Sequence, residues 1–136
     1  MARVLLVDDE PDILMMLQLA FEDEGHEIVT AANGQLGLEQ LAANAVDVVV
    51  LDMMMPIVDG WGVLEAKQVN GDATPVIVVS ARSEPAVCRR ALELGAVEYV
   101  LKPFDLDRLL ALVAAVAGED APAREARRNA AIDAQG

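Results

Sequence analysis

Two uninterrupted apolar runs constrain the fold of this chain more than any other feature. DVVVLD (47–52) and PVIVVS (75–80) are apolar at almost every interior position and lack the alternation of a half-exposed strand. Runs of this length are typical of strands that are covered on both faces, and such strands belong to parallel sheets. Parallel neighbours need a long crossover connection, which is usually a helix. The two runs therefore predict a sheet that lies between two layers of helices.

The rest of the chain alternates strand and helix as this architecture requires. Strands are predicted over 3–8, 27–31, 47–52, 75–80 and 97–101. Helices are predicted over 11–24, 34–44, 84–94 and 105–117, from apolar residues at helical spacing and from glycines at the helix ends, and a short helix is predicted to follow the loop at 53–62 and to end at about residue 69. The second strand is the least apolar, so we expect it near an edge. The alternation predicts an α/β fold of right-handed βαβ units, a doubly wound parallel sheet.

Length, charge and cysteine content narrow the classes of function. A chain of 136 residues can bury one full core, and its formal net charge of -13 argues against direct binding to nucleic acid. Cys88 is the single cysteine, so an internal disulfide is impossible and a reducing compartment is expected. No apolar stretch approaches the ~18–20 residues of a membrane span, and the start of the chain lacks a signal-peptide pattern. We expect a cytoplasmic domain without a membrane partner.

The segment 119–136, EDAPAREARRNAAIDAQG, departs from this alternation. It is polar, rich in Ala and Arg, and interrupted by Pro122. We expect the domain to span 1–118 and the remaining segment to be an irregular tail or the start of a truncated linker. A further helix after Pro122 is the alternative.

Charged and hydroxyl side chains stand at the ends of four predicted strands. Asp8 and Asp9 end the first strand and Asp52 ends the third. Ser80 ends the fourth strand, and the fifth runs into Lys102. Ligands of an open parallel sheet bind at the carboxyl ends of its strands, near the point where the strand order reverses. We therefore expect three carboxylates, one hydroxyl and one ammonium group to converge there.

These groups suit a divalent cation and a phosphoryl group. Mg2+ prefers oxygen ligands and is usually held by one or two carboxylates together with phosphate oxygens. A bound cation would also remove the repulsion between Asp8 and Asp9. Phosphoryl transfer requires neutralised charge, a hydroxyl or backbone donor and often a lysine. An aspartate can serve as the nucleophile by forming an aspartyl phosphate.

Each residue alone also has an ordinary structural explanation. The acidic pair at the end of the first strand could favour the start of the next helix, and Asp52 could belong to a turn. Ser80 could cap the helix that begins near residue 84, and Asp59 is expected to cap the helix after Gly60. The combination of these residues at strand ends is what favours a phosphoryl site.

The motifs VLLVDDEPD, VVVLDMMMPIVDG, PVIVVSA and LELGAVEYVLKPF together resemble the receiver domain of bacterial two-component response regulators. The resemblance covers about residues 3–117. It implies the (βα)5 flavodoxin-like fold of the chemotaxis regulators, with a five-stranded parallel sheet in the order 2-1-3-4-5. It also implies a cis peptide bond between Lys102 and Pro103.

The resemblance implies a role for each strand-end residue. Asp52 matches the aspartate that accepts a phosphoryl group from a phosphohistidine of a sensor histidine kinase or a histidine phosphotransfer protein. Asp8 and Asp9 match the acidic pair that holds Mg2+, for which Mn2+ is expected to substitute, and Asp9 is the more direct ligand. Asp52 and the backbone carbonyl of Met54 are expected to complete the protein's share of the ligands. Lys102 matches the lysine that pairs with the acidic site and then with the phosphoryl oxygens.

Ser80 and Tyr99 match the switch pair of the same family. A phosphoryl group would attract the Ser80 hydroxyl, and Tyr99 on the neighbouring strand would turn inward to fill the vacated space. Phosphorylation is then expected to shift the packing of the surface around residues 83–117, to which a downstream protein partner binds. In this interpretation the chain is not an enzyme, because it catalyses only its own phosphorylation and dephosphorylation.

Particular positions disfavour alternatives from other classes. A phosphohydrolase of the haloacid dehalogenase type would carry a second aspartate two residues after the nucleophile, where this chain has Met54. A flavodoxin-like cofactor binder would need a phosphate-binding first loop, whereas DDEPD would repel phosphate without a cation. A degenerate receiver would have lost Asp9, Asp52 or Lys102. A stand-alone or phosphorelay receiver is preferred, and a receiver cut from a longer regulator with an output domain is the alternative.

Overall fold

In a computed structural model, which describes residues 2–55 and 57–135, the chain forms a five-stranded sheet and six helices. The strands are β1 (Arg3–Val7), β2 (Glu27–Ala31), β3 (Val48–Asp52), β4 (Val76–Ser80) and β5 (Ala96–Leu101). The helices are α1 (Pro11–Asp23), α2 (Gly34–Ala43), α3 (Gly60–Asn70), α4 (Pro85–Glu93), α5 (Leu106–Ala117) and α6 (Ala121–Asp133). Within this described part of the chain, none of the helices is long and apolar enough to cross a membrane.

All neighbouring strands run parallel, in the order β2-β1-β3-β4-β5. The predicted fold class and the doubly wound, flavodoxin-like topology are therefore confirmed. β2 lies at one edge, as its weaker apolar character predicted, and β5 lies at the other. Every residue of β3 and β4 is buried, which explains their uninterrupted apolar sequences: neither face of these strands meets water.

Two apolar layers lie on the two faces of the sheet. One layer joins the strands to α2, α3 and α4, and the other joins them to α1 and α5. The residues of β1 show this division, because Leu5 and Val7 belong to the first layer. Val4 and Leu6 belong to the second, together with Phe21 of α1, which has no exposed surface. Helices on both faces leave the ends of the strands as the place where polar side chains can gather.

Helix boundaries follow from the capping residues. The Asp59 carboxylate accepts a hydrogen bond from the backbone N–H of Gly62 at 3.0 Å, so its predicted role as the cap of α3 is confirmed. The chain leaves α1, α3 and α4 through glycines with φ of 90°, 69° and 115°, at Gly25, Gly71 and Gly95. This left-handed conformation is accessible to glycine because it has no Cβ.

The segment after α5 differs from the expectation of an irregular tail. Residues 121–133 form α6, which was the less favoured alternative. The Asp120 side chain caps this helix by accepting a hydrogen bond from the N–H of Ala123 at 2.9 Å. Pro122 lies in the first turn, where its missing N–H removes no helical hydrogen bond, so it begins a helix instead of preventing one. α6 packs against β5 and α4. The domain boundary at 118 stays a prediction.

Candidate functional site

The carboxyl ends of β1, β3, β4 and β5 bring polar side chains to one edge of the sheet. Residues at or directly after these ends are Asp8, Asp52, Ser80 and Lys102. β3 lies between β1 and β4 in parallel register, so their ends are adjacent. Asp52 and Ser80 are only 4% and 1% exposed, and Asp8 is also buried. The edge therefore holds polar groups that water does not solvate freely.

Two donors contact the carboxylate of Asp52. The Nζ atom of Lys102 lies 3.5 Å from Asp52 Oδ1, and the backbone N–H of Met54 donates to the same oxygen at 3.2 Å. A buried carboxylate is costly unless opposite charge and hydrogen bonds compensate for its lost hydration. Lys102 and the loop after β3 supply this compensation at the centre of the site.

Asp8, Asp9 and Glu10 form an acidic cluster, and their carboxylate oxygens lie within 4.8 Å of one another. Burial raises the pKa of Asp8, although the N–H of Glu10 donates to its Oδ1 at 2.9 Å and opposes the rise. The charge of Asp52 raises this pKa further, while Lys102 lowers it. A carboxyl whose pKa is raised by burial and like charges gains from a nearby cation. The cluster thus has the oxygen chemistry that a hard divalent cation prefers.

The loop between β3 and α3 is shaped by a close approach at Gly60. Its N–H donates to the carbonyl of Met53 at 3.2 Å, and a Cβ atom at this position would lie 2.6 Å from the Cα of Met53. Met53 is buried beneath the loop, whereas the side chain of Met54 is 63% exposed. Within the methionine triplet at 53–55, Met53 therefore packs in the core whereas the side chain of Met54 does not. The backbone N–H of Met54 is held against Asp52.

Ser80 and Tyr99 both contact the loop between β4 and α4. The N–H of Arg82 donates to Ser80 Oγ at 3.1 Å, and Tyr99 Oη donates to the carbonyl of Arg82 at 2.8 Å. Burial raises the pKa of Tyr99, so its hydroxyl keeps the proton that it donates. Cys88 of α4 is buried, as its packing role predicted, with Sγ 4.0 Å from the same carbonyl. Tyr99 is thus partly buried and held against this loop in the unmodified chain, and its inward motion on phosphorylation stays a prediction.

Sequence reasoning missed the carbonyl of Arg82 as the partner of Tyr99. Backbone acceptors leave no signature in the residue types, so no sequence signal could have found it. The ends of β4 and β5 are also tied by the N–H of Lys102, which donates to the carbonyl of Ser80 at 2.9 Å. The bond between Lys102 and Pro103 is cis, as the resemblance implied.

A doubly wound parallel sheet with an acidic, lysine-containing site at its strand ends defines a flavodoxin-like α/β domain. Residues 4–114 match the family model of the response regulator receiver domain. The chain belongs to this family, and the resemblance drawn from its motifs is confirmed.

Longer regulatory proteins contain similar sequences. Regulatory protein AtoC of Escherichia coli (strain K12) is 41% identical over 111 residues, which are 82% of this chain and 24% of AtoC. Transcriptional regulatory protein PrrA of Mycobacterium tuberculosis is 40% identical over 114 residues, which are 84% of this chain and 49% of PrrA. The chain therefore spans about a quarter of the first relative and about half of the second.

Solved receiver domains share the fold. The receiver domain of the Francisella response regulator 1452 is 32% identical, with a TM-score of 0.83 and coverage of 86% of this chain and 97% of that one. Response regulator TrrA of Thermotoga maritima, solved in complex with Mg(2+)-BeF, is 34% identical, with a TM-score of 0.76. That match covers 85% of this chain and 99% of TrrA.

Proposed function

We propose that Asp52 is the phosphoacceptor of this receiver domain. The donor is a phosphohistidine of a sensor histidine kinase or of a histidine phosphotransfer protein. The observation that carries the proposal is the buried Asp52 carboxylate, which has Lys102 Nζ at 3.5 Å and lies near enough to Asp8 of the acidic cluster for their charges to interact. A structural ion pair alone would not require further carboxylates next to a buried aspartate, because each one adds repulsion.

The residues of the site have complementary tasks in the transfer. A carboxylate oxygen of Asp52 forms a bond to phosphorus while the P–N bond of the phosphohistidine breaks. The electron pair of the broken bond stays on the imidazole nitrogen. Lys102 pairs with the free Asp52 carboxylate before the transfer and with the phosphoryl oxygens after it. The N–H of Met54, which already points at Asp52, donates to the same region.

We propose that Mg2+ is held by the carboxylates of Asp8, Asp9 and Asp52 and by the backbone carbonyl of Met54, and that Mn2+ can substitute for it. When bound, the cation supplies positive charge that neutralises the phosphoryl oxygens. Two features of this chain fit such an ion: the carboxylate oxygens within 4.8 Å of one another and the raised pKa of the buried Asp8. The Mg(2+)-BeF complex of TrrA is consistent with the same use of the site.

The output is proposed to be a change of surface, with no reaction on an external substrate. The domain catalyses only its own phosphorylation and dephosphorylation, and Ser80 and Tyr99 form the switch that alters the surface around residues 83–117. A separate downstream protein and an output domain of a longer regulator are both proposed as readers of this surface. Cytoplasmic location and the absence of direct nucleic-acid contact belong to the same proposal.

The test is the intact mass of the protein after incubation with acetyl phosphate, with and without Mg2+. We expect one Mg2+-dependent phosphoryl adduct on the unmodified sequence and none on Asp52→Asn. Asp59→Asn is the matched control, because it makes the same chemical change in the same loop and asparagine also caps helices well. It is expected to be phosphorylated normally.

An adduct that persists in Asp52→Asn would contradict the proposal. If the unmodified protein forms no adduct, the binding of beryllofluoride in the presence of Mg2+ separates two causes. Binding indicates a phosphoryl group that is lost too fast to trap. No binding indicates that the acidic cluster is a metal or partner site only.

A further inference from the structure

The helix α6 covers the surface formed by α4 and the outer side of β5, which we call the α4–β5 face. β5 is an edge strand, and edge strands present unpaired backbone groups to which other chains can bind. α6 packs against both elements of this face. Its partly buried residues Ala131 and Ile132 lie against the apolar layer to which α4 contributes Ala91 and Leu92. Part of this chain therefore occupies the edge of its own sheet.

Arg127 fastens α6 to the face. Its Nη1 atom lies 2.8 Å from Glu98 Oε2 on β5, and its Nη2 atom lies 2.7 Å from Glu119 Oε2 in the connection before α6. The Nε atom also donates to Glu119 Oε1 at 2.9 Å, so the contact with Glu119 is bidentate. The three side chains are between 21% and 26% exposed, and such partly shielded, bidentate pairs are the stronger kind.

The remaining attachment of α6 is shallow. None of its described residues is buried, whereas helices in proteins usually gain their stability by burying an apolar face. α6 carries three arginines, at 124, 127 and 128, of the ten basic residues in a chain with a net charge of -13. Because α6 also carries Glu125 and Asp133, its net charge is only +1, and the ion pairs of Arg127 are the specific charge contacts that hold it. A contact of this kind can be released without unfolding the core.

We propose that α6 is a releasable cover of the α4–β5 face, held by Arg127, and that phosphorylation of Asp52 releases it. A partner protein reaches the face only after α6 has left. The inference rests on the proposed function, because α4 and Tyr99 belong to the surface around residues 83–117. The loop that Ser80 and Tyr99 both contact leads directly into α4, so a change at the site alters the support on which α6 rests.

Hydrogen–deuterium exchange of the whole chain tests this cover, with short labelling times that resolve weakly protected amides. The variants are Arg127→Gln and the matched control Arg128→Gln, which removes the same charge from the next position of α6. Across residues 2–55 and 57–135, Arg128 takes part in no ion pair. We expect Arg127→Gln to speed exchange at 121–133 by about tenfold or more, while Arg128→Gln resembles the unmodified protein.

Hydrogen–deuterium exchange in the presence of Mg2+ and beryllofluoride tests whether phosphorylation of Asp52 releases α6. We expect faster exchange of α6 in the unmodified protein and little further increase in Arg127→Gln. Equal exchange of α6 in Arg127→Gln and the unmodified protein would overturn the cover. Unchanged exchange of α6 in a protein whose loop at 53–59 is protected by beryllofluoride would overturn release by phosphorylation. Failure of that loop to become protected contradicts the proposed function instead, and the Arg127 comparison alone then decides whether α6 is a cover.

Discussion

Asp52 shows how one side chain depends on residues that are distant in the sequence. Its carboxylate is nearly inaccessible to water. Its cationic partner, Lys102, directly follows β5, which lies two strands away from β3 in the sheet. The backbone N–H of Met54 adds a second donor. Because the charge is buried, the cost of removing a partner is larger than it would be on the surface.

Replacing Lys102 should slow the phosphorylation of Asp52. Lys102→Met keeps the length and the apolar stem of the side chain but removes its charge, so we expect the rate of adduct formation with acetyl phosphate to fall by roughly 100-fold. The measurement is intact mass against time at saturating Mg2+. Arg108→Met, which removes an exposed charge from α5, is the control and should leave the rate unchanged. A Lys102→Met rate close to that of the control would mean that the lysine has only a structural role.

At the scale of elements, the loops that follow the strands determine the geometry of the site. The loop between β3 and α3 brings Gly60 against Met53, and the loop between β4 and α4 is held by Ser80 and Tyr99. Each loop is short and begins at a buried strand end, so a small change of shape moves the backbone at the site. Loops of this kind carry function because rigid strands position them.

A methyl group at Gly60 should disturb the loop after Asp52. An added Cβ would clash with the Sδ of Met53 and would lie 2.6 Å from its Cα, and the backbone atom cannot move aside easily. We expect Gly60→Ala to lower the free energy of unfolding by about 1–3 kcal/mol and also to slow phosphorylation. Urea denaturation measures the first effect. Gly118→Ala is the control, since its nearest neighbours would lie at an ordinary 3.7 Å. Equal losses in the two variants would contradict the steric argument.

At the scale of the whole molecule, a strongly acidic chain contains a buried cation outside the site. Lys67 of α3 is only 6% exposed, and its Nζ lies 3.1 Å from Asp72 Oδ1 and 3.3 Å from the carbonyl of the same residue. Burial lowers the pKa of Lys67. Burial acts to raise the pKa of Asp72, but hydrogen bonds from Thr74 and the charge of Lys67 outweigh it, and the pKa falls below 3.8.

The sign of this shift predicts how stability depends on pH. Because the pKa of Asp72 is lower in the folded state, its ionised form stabilises the fold above the unfolded value of 3.8, and this contribution is lost as the pH falls through the folded pKa. Asp72→Asn should therefore unfold more easily than the unmodified protein at about pH 6, by roughly 1–3 kcal/mol. The difference should shrink below pH 3.8.

Urea denaturation at a series of pH values measures this difference. Asp23→Asn, at an exposed position of α1, is the control and should follow the unmodified protein at every pH. A constant gap between Asp72→Asn and the unmodified protein down to about pH 3 would show that the ionisation of Asp72 is not its cause.

Features that a short stretch of sequence specifies could be predicted, and features that depend on distant residues could not. The strand ends at Asp52 and Ser80 could be predicted because apolar periodicity and strand-end residues are visible within a few positions. The cap at Asp59 could be predicted for the same reason. In the segment 119–136, the polar composition and Pro122 favour a tail over a helix when the segment is considered alone. Its helix depends on a cap at Asp120 and on a surface formed by other elements, and neither follows from the composition of the segment.

The sequence by itself determined the fold class, the order of the elements and the strand-end residues of the site, because all of these depend on short-range patterns of apolar and polar residues. Only the tertiary structure decided which partner each charge takes. Lys102 lies against Asp52, Tyr99 donates to a backbone carbonyl, and Arg127 reaches Glu98 across 29 positions of the chain. Such pairs depend on distances and burial that exist only once strands and helices have packed together.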